Sequence, residues 1–304
     1  MKHPFLKAQL HNFWYWIEER HQIYLNRQAG MQWPWTEDPI FQQYRFCNAF
    51  RELDTGTVWL RQNWLEPWEG HENLLFNICL YRYFNWWPTA EFLGYTTAKN
   101  WNPESIIVGL RQWRHKGNKV FTGAHMMTGQ ILRPDGTPCE DKIEQVITYV
   151  LDPIWNMQLI HADIIKREGT LEAAFQQLLP LKGFGPFVAY EVVTDLYHTH
   201  YLKDAPDIMT WANPGPGAMR GINRLRGLPF TTFNNKKQST EQYIDDMRLL
   251  LKMAFDQLDA HIPRDANFDM RMIEHSLCEF DKYSRILNGE GRTRSKFVPP
   301  HERV

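Results

Sequence analysis

The chain has 304 residues, 43% of them hydrophobic, and a formal net charge of −1. This size and composition support one large domain or two close lobes around a true core, and the near-neutral charge excludes a globally basic nucleic-acid binder. No run approaches the roughly 18 apolar residues of a membrane span, and the opening MKHPFLKAQLHNFWYW has no secretory apolar region followed by a cleavage site, so a cytoplasmic protein without membrane association is expected.

In chain order, Phe13, Trp14, Ile17, Ile23 and Tyr24 recur at three-to-four spacing within 5–28 and predict a helix that stops at Gly30. The Gly- and Pro-containing stretch 30–39 reads as a loop, with Thr36 as N-cap and Pro39 in a first helical turn. One or two helices are predicted over 40–65, and further helices over 72–86, 103–115, 140–156 and 170–179. Strand signals are sparse; 119–137 is either a small hairpin or a long loop. An irregular segment at 211–218 precedes helices over 240–260 and about 269–287, and 288–304 reads as an extended basic tail. Most of the 13 tryptophans are expected in packing, leaving one or two as stacking partners for an extruded base.

Cys47, Cys79, Cys139 and Cys278 lie far apart, and His198 and His200 are the one close histidine pair. Neither spacing builds a metal motif, so no metal site is expected. Positive charge is local: Arg220, Arg224, Arg226, Lys236 and Lys237 form one cluster, Arg111, Arg114, Lys116 and Lys119 a second, and Arg285, Arg292, Arg294, Lys296 and Arg303 a third. Each alone reads as a solvated face. Together, beside a DNA-binding motif, they point to phosphate contacts.

That motif is Leu181-Lys182-Gly183-Phe184-Gly185-Pro186-Phe187-Val188-Ala189. Glycines in a tight turn let backbone approach a phosphate, and the amides opening the next helix bind the anion. The alternative is an ordinary glycine turn between two helices. The segment resembles the hairpin of the helix-hairpin-helix DNA glycosylases. This resemblance implies a mainly α, helix-hairpin-helix DNA glycosylase-like fold with two helical lobes and a central cleft. The chain is then a single catalytic unit over 1–304, one lobe of about 66–196 ending in the hairpin and a second built from 1–65 plus 197–304. It also implies DNA contacts for Lys182, Gly183, Phe184, Gly185 and Phe187, with Arg292 and Arg294 added from the basic tail. Glycosylases of this family can hold a Schiff-base lysine two residues after the second glycine and an assisting aspartate downstream. Here Phe187 stands at the lysine position and Asn213 at the aspartate position by local pattern, with Asp204 and Asp207 nearby. The architecture transfers more readily than the chemistry.

Further blocks match a narrower family. Pro34-Trp35-Thr36-Glu37-Asp38-Pro39 with Tyr44-Arg45-Phe46-Cys47-Asn48 and Arg51-Glu52-Leu53-Asp54, the glycine-rich Gly215-Pro216-Gly217-Ala218-Met219-Arg220-Gly221-Ile222-Asn223-Arg224-Leu225, and Ile273-Glu274-His275-Ser276-Leu277-Cys278-Glu279-Phe280-Asp281-Lys282-Tyr283 together resemble the phage thymine-hypermodification proteins. These are the α-glutamyl/putrescinyl thymine pyrophosphorylases, or amino acid:DNA transferases, related to the helical domain of 5-hydroxymethyluracil DNA kinases.

The resemblance implies displacement of pyrophosphate from 5-pyrophosphoryloxymethyl-deoxyuridine in double-stranded DNA by an amino acid or polyamine, after base flipping. The setting would be a bacteriophage-infected host cytoplasm, with a 5-hydroxymethyluracil DNA kinase acting upstream. Expelling pyrophosphate calls for cations or oriented amides, and Arg45, Asn48, Arg51, Gly215, Gly217, Arg220, Asn223, Arg224 and Lys282 are the candidates. An amine nucleophile must lose a proton, for which Glu274, His275, Glu279 and Asp195 are the candidate bases. Each group has a structural alternative: an amphipathic helix with i,i+4 pairs for 274–282, a polar network for Arg45, Asn48, Arg51 and Glu52, and local pairing for Asp195. No P-loop or dinucleotide fingerprint is present, so neither self-phosphorylation nor redox chemistry is expected, and Mg²⁺ is the one candidate cofactor. A DNA glycosylase or lyase and a non-catalytic DNA-binding helical domain are the competing readings.

Overall fold

A computed structural model describes residues 3–123, 131–230, 239–258, 268–291 and 296–300. The chain is mainly helical; among the described residues β structure is limited to isolated antiparallel bridges at Tyr44–Lys296 and Leu132–Pro138. It divides into two compact units, one of residues 1–54 and 208–304, the other of 55–207.

The first unit holds α1 (Lys7–Gln28), α2 (Pro39–Gln43), α11 (Pro216–Arg226), α12 (Thr240–Gln257) and α13 (Met270–Leu287). Helix α13 is its centre. Asp269 caps its start by accepting from Met272 N–H at 3.0 Å, and Ile273, Leu277 and Phe280 are fully buried. Phe13 of α1 meets Phe280 edge-on at 5.5 Å, while Phe41 of α2 lies 5.2 Å from Tyr283. Each such buried side chain contributes about 1.5–3 kcal/mol relative to exposure. Helix α12 begins with a reciprocal capping box between Ser239 and Gln242.

Two local expectations change here. The N-cap of α2 is Asp38, whose Oδ1 accepts from Ile40 N–H at 2.7 Å; Thr36 instead bonds Glu19 and accepts from Asp38 N–H. Residues 44–50 are not helical, and only a short 3₁₀ turn (Arg51–Leu53) follows before the next helix opens at Thr55. Asp54 Oδ1 accepts from Asn48 N–H at 2.9 Å and Asn48 Nδ2 donates to Leu53 O at 2.8 Å, so side chains take the backbone groups that a helix would use.

The second unit runs from α3 (Thr55–Leu60), continued by a π turn (Arg61–Leu65), through α4 (Leu74–Phe84), α5 (Trp87–Leu93), α6 (Pro103–His115), α7 (Lys142–Val146), a second π turn (Ile147–Leu151), α8 (Asp152–Glu168), α9 (Leu171–Leu178) and α10 (Pro186–Leu196). Every residue of α4 is buried, Arg82 included. Asn85 ends that helix in the left-handed region, its N–H returning to Tyr81 O at 2.6 Å. Here the tryptophans pack on aromatic neighbours: Trp68 stacks on Tyr95 at 4.1 Å, Trp59 on Tyr81 at 6.1 Å, and Trp101 on Trp155 at 5.6 Å.

Candidate functional site

Helices α11 and α13 approach so closely that side chains are excluded between them. A Cβ on Gly217 would stand 2.3 Å from Cys278 Sγ, and one on Gly221 would stand 2.5 Å from Leu277 O. The glycine-rich segment is thus a helix start and a packing seam rather than an open phosphate loop. Gly215 N–H donates to Glu274 Oε1 at 3.2 Å, so a carboxylate of the protein already occupies the anion-favouring end of α11. Asn223 is fully buried and accepts from Tyr243 OH at 3.2 Å, a structural position.

The arginines of this seam are paired. Arg220 Nε and Arg224 Nε each donate to Asp281 at 2.8 Å, and Arg224 also makes a bidentate contact with Glu290 at 3.1 and 2.6 Å. Hydrogen bonds from Arg224 hold the Glu290 carboxyl below its usual range. Arg224 is buried and its charge met by two carboxylates, whereas the Arg220 side chain is 29% exposed and remains the accessible cation of the pair. Arg226 is bound to Asp246 at 2.6 Å. In the other unit Arg111 bonds Asp141 and Glu144, and Arg114 bonds Asp141. These five arginines are paired with carboxylates within their own units, which weakens their reading as a phosphate-binding surface. Lys236, Lys237, Arg292, Arg294 and Arg303 lie outside the described residues.

At another part of α13 the loop 44–54 meets the helix. Cys47 N–H donates to Glu279 Oε2 at 3.0 Å, and Lys282 bridges Glu279, at 3.3 Å, to Arg45 O. Arg20 donates to Asn48 Oδ1 at 2.6 Å, fixing the middle of the loop from α1. Arg271 forms a buried ion pair with Glu52. The side chains of Cys47, Asp54 and His275 bring their donor atoms within 4.8 Å of one another. Desolvation by the surrounding protein, followed by the carboxylates of Glu279 and Asp54, holds the Cys47 thiol well above its ordinary value, although the residue presents surface to solvent. Desolvation likewise raises the Asp54 carboxyl, against the lowering influence of Asn48 N–H, Arg51 and Arg20. The helix positions Glu274, His275 and Glu279 are nearly buried. Glu274, His275, Glu279 and Lys282 all sit in one unit with Arg45, Asn48, Arg51, Gly215 and Arg220. Linear spacing offered no signal for Cys47 or Asp54 as site residues beyond their membership of the 44–54 block.

Asp195 lies in the other unit. It is 1% exposed and both carboxylate oxygens accept from Arg82, which also reaches Glu191 at 2.7 Å. That arrangement supports a structural role for Asp195 rather than a proton-accepting one. Asp207 accepts from the amides of Leu171 and Glu172 at 2.8 and 3.0 Å, capping α9. The glycine turn between α9 and α10 places Gly183 at φ +84°, where a Cβ would also meet Val150 at 2.7 Å. Phe184 is buried, while Lys182 and Phe187 are exposed, Phe187 to 59%. Gly185 is the N-cap of α10.

The family described as "5-hmdU DNA kinase, helical domain" matches residues 7–293. The chain belongs to this family. Among curated proteins, the "5-hmdU DNA kinase" of Bacillus phage SP10 is 27% identical over 289 residues, covering 88% of the chain and 43% of the phage protein. The chain therefore spans less than half the length of that relative. No solved structure matches it. None of the described helices is long and apolar enough to cross a membrane.

Proposed function

We propose that the protein is a DNA-modifying transferase. It replaces pyrophosphate on 5-pyrophosphoryloxymethyl-deoxyuridine in double-stranded DNA with an amine from an amino acid or polyamine. One observation carries the reading: in a chain of the 5-hmdU DNA kinase helical-domain family, the nearly buried Glu274 carboxylate is oriented by Gly215 N–H beside the start of α11, in the unit that also holds Glu279, Lys282 and Arg220. Phosphorylating a hydroxymethyl group creates a leaving group, and a downstream domain has the complementary task of using it. A 5-hmdU DNA kinase is the pathway partner that acts first.

In the proposed step the amine nitrogen bonds to the 5-methylene carbon as the carbon–oxygen bond to pyrophosphate breaks. Glu274 first takes a proton from the ammonium form of the co-substrate, freeing the nitrogen lone pair for attack, and the electron pair of the breaking carbon–oxygen bond leaves with pyrophosphate. Arg220 meets charge developing on the departing group. Glu279, held by Cys47 N–H and Lys282, orients the loop 44–54. A base in duplex DNA has to be extruded before it reacts, and the exposed Phe187 and Lys182 of the glycine turn are the proposed DNA contacts.

The test is incubation of the protein with DNA carrying pyrophosphorylated 5-hydroxymethyluracil and a mixture of amino acids and polyamines, followed by nucleoside mass spectrometry. An amine-adduct nucleoside is expected. Abasic sites would replace this reading with a glycosylase, and DNA binding with unchanged nucleosides would replace it with a non-catalytic DNA-binding domain.

A further inference from the structure

We propose that Cys47, Asp54 and His275 form a binding site for a divalent transition metal of the zinc class. Their thiol, carboxylate and imidazole atoms already lie within 4.8 Å of one another. A tetrahedral zinc ion sits ~2.0–2.3 Å from its ligands, which separates them by about 3.3–3.7 Å, so side-chain adjustments on the order of 1 Å close the shell. Sulfur, nitrogen and oxygen donors together suit zinc or cobalt; Mg²⁺ takes oxygen ligands in octahedral array and does not fit the set. A thiolate and a carboxylate would balance the charge of a divalent ion.

The surroundings hold the ligands in place. Asp54 Oδ1 accepts from Asn48 N–H at 2.9 Å, and Asn48 is itself held by Arg20 at 2.6 Å. The backbone of Cys47 is fixed by Glu279, which shares helix α13 with His275. Such outer contacts orient first-layer ligands and tune affinity. Three protein ligands leave a fourth position, and the exposure of Cys47 leaves that side open to water or to an oxygen ligand. If the transfer reaction proposed above is correct, an oxygen of the pyrophosphate is the ligand class that position would take; metal binding itself does not depend on that reading.

The test uses the full chain with Co²⁺ or Zn²⁺ and neither DNA nor amine. One equivalent of Co²⁺ is expected to give tetrahedral visible bands and a thiolate-to-cobalt charge-transfer band. Cys47→Ser should abolish the charge-transfer band, while Cys278→Ser should leave it unchanged. Asp54→Asn should weaken binding about ten-fold or more. As a check independent of how variants fold, wild-type protein is alkylated at alkaline pH with and without Zn²⁺ and read by peptide mass spectrometry. Zinc should protect Cys47 and not Cys278, both of which are exposed. A charge-transfer band that survives Cys47→Ser, an absence of stoichiometric binding, or equal alkylation of Cys47 with and without zinc would overturn the site. A failed transfer assay leaves these readouts standing, so the two proposals fail separately.

Discussion

The backbone N–H of Cys47 donates to the carboxylate of Glu279 across 3.0 Å, joining residues 232 positions apart and anchoring the 44–54 loop to α13. Glu279 also takes Lys282 at 3.3 Å and is nearly buried. Glu279→Ala removes a charged acceptor from a buried amide and should lower unfolding free energy by about 1.5–3 kcal/mol. Glu279→Gln keeps an acceptor and should cost less. Urea denaturation of both variants checks the order; equal losses would contradict it.

Gly221 faces the α13 backbone, where a Cβ would stand 2.5 Å from Leu277 O. Backbone cannot step aside as a side-chain terminus can, so Gly221→Ala should force α11 and α13 apart and destabilise by about 1–3 kcal/mol. Gly30→Ala is a poor control because Gly30 has φ +72°. Gly185→Ala is a better one, since a Cβ there meets no neighbour within 4 Å and φ is −114°. The two melting temperatures should differ clearly, with Gly221→Ala the lower.

Asp195 and Arg82 separate structural from catalytic roles. Asp195→Asn removes one of the two carboxylates that meet the buried Arg82 and leaves Glu191 at 2.7 Å, so it should cause a clear loss of stability, though less than the ~3–5 kcal/mol of a fully uncompensated buried charge. Asp195→Asn should therefore melt below wild type. Per folded molecule, measured at a temperature where both are folded, it should retain transfer activity. Glu274→Gln should show the opposite pattern, with turnover falling far more than stability.

The Arg224–Glu290 contact predicts an acid-limb effect. Glu290 is held below its usual range chiefly by hydrogen bonds from Arg224, so the folded state keeps this carboxylate ionised to lower pH than the unfolded chain does. Its stabilisation is fully present above the unfolded glutamate value of about 4.3 and is lost as pH falls through the lower folded value. Glu290→Gln should flatten the fall of stability over that window and leave its slope near neutrality unchanged. Denaturant midpoints across the acid range measure this; parallel curves would contradict it.

Much of the helical fold was legible because its signals are local. Asn102 accepts from Ser105 N–H and Pro103 opens α6, whose predicted span of 103–115 matches the observed Pro103–His115. The 44–54 loop reads as helical in sequence because Phe46, Phe50 and Leu53 imitate a helical period, while the competing bonds of Asn48 and Asp54 depend on side-chain geometry that spacing does not encode. The glycines of 215–221 showed the same ambiguity. Close backbone approach to a phosphate and close approach of two helices require the same absent side chain, and only the neighbouring α13 distinguishes them. Glu274, His275, Glu279 and Lys282 could be grouped from one helix. Cys47 and Asp54 join them only through contacts between distant parts of the chain.

Counting pyrophosphate and adduct together separates amine transfer from hydrolysis. With doubly phosphorylated 5-hydroxymethyluracil DNA labelled in both phosphates, wild-type protein and an amine, one released pyrophosphate should accompany each new amine-bearing nucleoside, and Glu274→Gln should suppress both. Pyrophosphate release without an adduct, at saturating amine, would contradict transfer and leave hydrolysis in its place.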